Sequence, residues 1–131
     1  MYLIDISPNS ALVQGRVIRL ANEPKIASNN NVALNDDFTG LYIQAPGIYK
    51  VKMLLTVISS SNGIGAALRA DGNELTTTEA TFEDGEMGEL VIDYPIEIKH
   101  DDDGEHKALI QFYATFDAIL LGGHVMVERV I

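Results

Sequence analysis

The chain has 131 residues, 47% hydrophobic and 21% charged, a balance that excludes disorder and suits one domain with a core needing neither disulfide nor structural metal. Nineteen acidic residues against nine basic give a formal charge of −10, a field that repels phosphate backbones and anionic lipid heads, so neither nucleic acid nor membrane is an expected partner. The absence of cysteine removes disulfide frameworks, thiolate metal sites and Cys nucleophiles, and no stretch approaches the roughly 18 apolar residues of a membrane-spanning helix.

The opening "MYLIDISPNS" carries neither a basic segment with an apolar run nor a small-residue cleavage site, so no secretion signal is expected. "ALVQGRVIRL", Ala11 to Leu20, reads as a strand bulged or bent near Gly15, and "ANEPKIASNNN" as a loop, its Pro and Asn each favouring turns. "VALNDDFTG" brings a short apolar stretch to a polar turn, and a strand starts at Leu41. After Pro46-Gly47, Tyr49, Val51, Met53, Leu55 and Val57 share one face at period two, while the other face begins with Lys50 and Lys52 and ends with Leu54 and Ile58.

"IGAALRADGNEL" predicts a hairpin turned at Asp71-Gly72, and the Thr-rich stretch that follows is partly extended. In "ELVIDYPIEIKH", Leu90, Ile92, Tyr94, Ile96 and Ile98 alternate with polar positions; Pro95, which cannot donate to a ladder, makes this strand an edge or bulges it. "DDDGEH" turns the chain. "KALIQFYATFDAILL" and "HVMVERVI" are expected as the last two strands, separated by Gly122-Gly123. Eight to ten short strands punctuated by turn residues predict an all-β, antiparallel two-sheet jelly-roll sandwich occupying residues 1–131 as a single domain.

Pro46-Gly47 falls between two strand-forming runs, which predicts a corner where the chain changes sheets: Pro presets φ and ends ladder donation, and Gly accepts the dihedrals of the bend. The order Phe38, Thr39, Gly40, an alternating strand, Pro46, Gly47 and then Tyr49 and Val51 resembles a stretch of the trimeric TNF-like jelly rolls. These include the globular head of the first complement component, tumour necrosis factor relatives, and collagen-like spore and phage fibre heads. "ALRADGNEL" is similar to a hairpin of that family. Val51 stands where the family usually shows an aromatic, and no collagen repeat precedes the domain, which argues against a long fibre.

The resemblance implies a compact homotrimer. Independently, the run from Lys107 to Phe116 is apolar on both faces, with Leu109 and Tyr113 opposite Ile110 and Phe112, whereas a lone sandwich needs one buried face per strand. Leu109 and Tyr113 are therefore the expected trimer contacts.

Little in the sequence suggests chemistry. His100, His106 and His124 lack the His-x-His and Glu spacing of a metal-binding jelly roll, and "HDDDGEH" and "EDGEMGE" do not follow an EF-hand order. No nucleophile elbow or phosphate loop is present, so neither enzyme nor cofactor is expected. The expected role is structural: a phage virion component, made in the host cytoplasm, that decorates a capsid or caps a fibre. Its partners would be copies of itself and a capsid or other virion protein, with Met1–Leu34 as the anchor. The alternative is a receptor- or glycan-binding head of a trimeric fibre, for which Tyr2, Tyr42 and Phe82 are the aromatic candidates.

Overall fold

A computed structural model of the chain describes residues 2–6, 10–20, 32–99 and 108–131. Its strands are β1 (Tyr2–Ile6), β2 (Ser10–Leu12), β3 (Val32–Leu34), β4 (Leu41–Ile43), β5 (Gly47–Ser59), β6 (Gly63–Ala70), β7 (Asn73–Thr81), β8 (Met87–Ile98), β9 (Ala108–Ala114) and β10 (Ala118–Arg129), with no helix among the described residues. They form two antiparallel sheets, the first ordered β1-β10-β5-β8 with β2 also on β10, the second β3-β4-β9-β6-β7. Because side chains alternate across a strand, each sheet turns one apolar row inward. Tyr49, Val51, Met53, Leu55 and Val57 from β5 meet Ile64 and Leu68 from β6 and Ile110 and Phe112 from β9 in a single core.

The longest pairing joins β5 to β8, in register from Gly47↔Ile98 to Ile58↔Met87. Strand β8 is an edge of its sheet, the one place where Pro95 costs no ladder bond on its open side. The β6–β7 hairpin turns at Asp71 (φ 50) and Gly72 (φ 83), both left-handed as a two-residue hairpin requires.

The motif from Phe38 to Tyr49 separates into two devices on either side of β4. Before it, the Asn35 side-chain oxygen accepts the N–H groups of Thr39 (2.9 Å) and Gly40 (3.0 Å), which holds a turn with Phe38 at φ 62. At Gly40 a Cβ would lie 2.9 Å from the Ile110 carbonyl oxygen, so glycine lets the turn approach β9. After β4, which belongs to the second sheet, the chain passes Pro46 and enters β5 of the first. The buried Tyr49 ties this corner by donating its hydroxyl to the Ala45 carbonyl at 2.7 Å. Gly47, at φ 151, packs where a Cβ would meet Arg129 Nε at 2.6 Å.

Three expectations change. Ala11–Leu20 is not one strand. β2 stops at Leu12, Gly15 turns at φ 82, and the chain crosses to the second sheet, where Val17 bridges Tyr113 and the Ile18 N–H donates to the Phe112 carbonyl at 2.7 Å. Nor is the apolar run through Leu121 continuous: it breaks between β9 and β10 at Thr115–Asp117. There Asp117 collects the Gln14 N–H on its carboxylate (2.9 Å) and the Ser60 N–H on its carbonyl (3.2 Å), and Phe116 folds over Gly63 and Gly65.

The third change concerns Gly122-Gly123, which separates no strands. It lies inside β10 at a bulge, with the register against β5 shifting between Leu120 and Gly122. A Cβ on Gly123 would strike the Leu54 carbonyl oxygen, so the glycine serves close backbone approach rather than a turn.

Of the described residues within Met1–Leu34, β1 and β2 belong to the first sheet and β3 to the second. Ile4, Ile6, Leu12, Ile18, Leu20 and Val32 lie in the core.

Candidate functional site

With the core filled, what remains for function is the two outer faces and the ends of the sandwich. On the first sheet, side chains that alternate with the core row fall into cross-strand rows. Leu3, Met126, Lys52 and Asp93 form one; Asp5, His124, Leu54 and Val91 form the next; Ala11, Ile119, Ile58 and Met87 form a third. Leu3 is 57% exposed, Met87 65%, Val91 55% and Ile119 45%, while Leu54, Ile58 and Met126 between them are half-buried. Charged side chains share this face, among them Asp5, Lys50, Lys52, Glu89 and Asp93, and the Lys52–Asp93 ion pair spans 3.8 Å. The apolar side chains gather in the Ala11–Ile119–Ile58–Met87 row and the adjoining Leu54 and Val91, and such a cluster of exposed hydrophobes is a candidate interaction surface.

The second sheet differs. Leu109 and Tyr113, the expected contacts, do project from β9 on its outer face, but both are half-buried within the single chain. Leu109 pairs with Tyr42 and rests over Gly40, its Cδ1 only 2.8 Å from where a glycine Cβ would be. Tyr113 is flanked by Val17 on one side and Ala67 on the other, and the Arg69 guanidinium stacks 3.9 Å from its ring centroid. Its hydroxyl donates to Gln111 Oε1 at 3.4 Å. The double apolarity of β9 is thus largely answered inside the chain, and the open apolar surface belongs to β1, β10, β5 and β8.

Of the aromatic candidates, Tyr42 lies on this second face and Phe82 is half-buried against Gly88, where it supports the core. Tyr2 is in β1 and pairs with Val127. His124 sits on the first face opposite Asp5 and Leu54, whereas His100, His106 and the "HDDDGEH" cluster lie outside the described residues. In the β7–β8 turn, Glu86 Oε1 accepts the Glu83 N–H at 2.9 Å, an ordinary local closure.

Among the described residues no group of three His, Asp or Glu side chains is placed to hold a metal, and no helix is long and apolar enough to cross a membrane. A cleft of about 430 Å³ opens between the sheets, lined by Ala70, Leu75, Tyr94, Pro95 and Ile96 with Asp71, Glu97 and Lys99 beside them. Asp71 is engaged there, accepting the Leu109 N–H at 3.0 Å.

Among the described residues two ionisable groups are displaced from their ordinary values, each by its part in the Phe38–Tyr49 motif. The Thr39 hydroxyl, 2.6 Å from Asp37 Oδ1, is the main cause holding that carboxyl below the usual range. Burial raises the Tyr49 phenol, against a smaller lowering by Arg129. Neither belongs to a nucleophile or acid–base pair.

Neither a protein-family model nor a curated protein sequence matches the chain. Solved structures do match it in shape. A TNF protein, Eiger, from S. frugiperda superposes with a TM-score of 0.72 at 10% identity, covering 99% of this chain and 93% of that one. The globular domain of zebrafish complement 1qA gives 0.69 at 10% identity, over 99% and 96%. Murine APRIL gives 0.63 at 9% identity, over 97% and 98%. The fold is a TNF-like jelly roll.

Proposed function

We propose that this TNF-like jelly roll is a non-enzymatic head domain that assembles as a homotrimer through the outer face of its first sheet. The observation that carries the reading is the set of exposed apolar side chains on that outer face, Leu3 on β1, Ile119 on β10 and Val91 and Met87 on β8, which nothing among the described residues covers. Burying such side chains gains about 1.5–3 kcal/mol each, enough for a few to hold a stable assembly. A threefold arrangement is supported by the resemblance of the Phe38–Tyr49 stretch to trimeric jelly rolls and by the fold itself.

The setting we propose is a phage virion, with the domain bound to a capsid or to a fibre; its support is the motif's resemblance to fibre heads and the acidic, cysteine-free composition. Removing Met1–Ser10 is a poor test of attachment because Ile4 and Ile6 are core residues, so intact protein should be added to assembled shells and co-sedimentation measured. Assembly is tested by light scattering at several concentrations, where a mass near three times 14.3 kDa is expected and a concentration-independent monomer would refute the reading.

A further inference from the structure

The geometry points to a second, separate site: the outer face of the second sheet as a platform for a carboxylate-bearing saccharide, with Arg69 as the group that binds the acid. This goes beyond the assembly reading and does not depend on it, since the two faces lie on opposite sides of the sandwich.

Arg69 occupies the middle of that face. In the cross-strand row it lies between Gln111 of β9 and Glu74 of β7, and its guanidinium stacks on Tyr113 at 3.9 Å. Yet among the described residues it makes no ion pair within 4.0 Å and no hydrogen bond, although the chain carries nineteen acidic residues. Stacking fixes the guanidinium plane and leaves its five N–H donors around the rim, the fork that matches a carboxylate in two parallel bonds. A surface cation held in this way has already lost the side-chain freedom that a loose lysine would lose on binding.

The surroundings suit a sugar ring. Along the outward row of β9 stand Leu109 beside Tyr42, then Gln111 beside Arg69, then Tyr113. From the first to the last is four residues, roughly 13 Å of strand, the reach of a short oligosaccharide. Tyr42 is half-buried and offers ring surface with a polar tip, whereas the Tyr113 ring lies under Arg69. Gln111 accepts from the Tyr113 hydroxyl, which turns its amide N–H₂ to hydroxyl recognition. Sugar hydroxyls would meet the amide and phenols, and the acid the guanidinium.

The test is a titration of the full chain, by calorimetry or NMR, with a glucuronic-acid-containing oligosaccharide, its neutral glucose counterpart and a sulphated chain of equal length. The uronic chain is expected to bind at least about tenfold more tightly than the neutral one. Arg69→Met, which keeps the stem and removes the charge, should abolish that preference, and Arg69→Lys should restore only part of it, with the fold retained in both by circular dichroism. Equal binding of carboxylated and neutral chains, or a preference that survives Arg69→Met, would overturn the site. Equal binding of sulphated and carboxylated chains, lost together at high salt, would reduce it to diffuse attraction and overturn the carboxylate assignment. Light scattering on the same samples keeps the result separate from assembly: a monomer that binds the uronic chain would sink the trimer and leave this site standing.

Discussion

The first and second sheets each contain a central strand with apolar side chains on its outer as well as its inner face, Leu54 and Ile58 on β5 and Leu109 and Tyr113 on β9, but the two strands resolve that excess differently. Beside β9, Tyr42, Arg69 and the crossing segment at Val17 lie over or next to Leu109 and Tyr113, so these two side chains are partly covered by their own chain. Beside β5, the neighbours Val91, Met126 and Ile119 are themselves apolar, and Leu54 and Ile58 extend an open patch instead of being sealed beneath one. An outward apolar side chain on a central strand therefore stays open where its flanking strands are also apolar outward, and is closed over where its neighbours cover it.

The largest effect should follow from placing charge on the open face. Val91→Asp with Ile119→Asp is expected to reduce the scattering mass to 14.3 kDa at concentrations where the unaltered chain associates, while the isolated fold persists by circular dichroism. Central interface residues typically account for about 2 kcal/mol or more each, so the pair should shift the association constant by several powers of ten. The matching change on the covered face, Leu109→Asp, should leave the mass unaltered and lower stability by about 1–3 kcal/mol in urea unfolding, because a charge would replace packing over Gly40. If Leu109→Asp dissociates the assembly and the double variant does not, the two faces have been assigned the wrong way round.

A smaller effect separates the corner from both faces. Tyr49→Phe removes the hydroxyl that donates to Ala45 and should cost about 1 kcal/mol without altering mass. Burial raises the Tyr49 phenol above its ordinary value of 10.0, so the folded chain holds this proton more tightly than the unfolded chain. That contribution is complete below about pH 10 and is lost as the pH climbs through the folded-state value. The variant should therefore lose stability less steeply than the unaltered chain under alkaline conditions; parallel curves would show that Tyr49 is not the group responsible.

Much of the first sheet could be read from the residues, because β5 and β8 are long and alternate cleanly, and Pro46-Gly47 interrupts two such runs where the chain changes sheets. The reading failed where a local signal had a tertiary cause. Gly122-Gly123 looks like a turn by composition, but its requirement comes from the Leu54 backbone on the neighbouring strand, which no local window contains. Ala11–Leu20 has the composition of a strand, yet it crosses between sheets, since Gly15 turns left-handed and the backbone donors beyond it find β9. The two outer faces were hardest to tell apart. Alternation shows that Leu109 and Tyr113 point away from the core, but their coverage depends on Arg69, Val17 and Tyr42, brought alongside by pairing. Arg69 itself gave no signal: one arginine before a hairpin is unremarkable until Tyr113 is placed beneath it.

The smallest expected effect concerns the turn that holds β4 against β9. The Asp37 carboxyl sits below its ordinary value of 3.8, chiefly because Thr39 donates its hydroxyl to the charged form, and it lies at the surface where solvent screens the gain. A lowered folded-state value gives a contribution that is present above the unfolded value and lost as the pH falls through the folded one. Thr39→Val removes the hydroxyl, and with it the bond it accepts from Asn35 Nδ2 at 3.3 Å, while leaving the Thr39 N–H bond to Asn35, so NMR titration should show the Asp37 resonance moving to a higher midpoint. Because Gly40 seats this turn against Leu109 and Gln111, any loosening should appear in the amide exchange of β4 and β9 on the second sheet and not in β5 or β8. Increased exchange on both sheets would mean that the two faces are mechanically coupled through the corner, and that a change at one could not be interpreted without measuring the other.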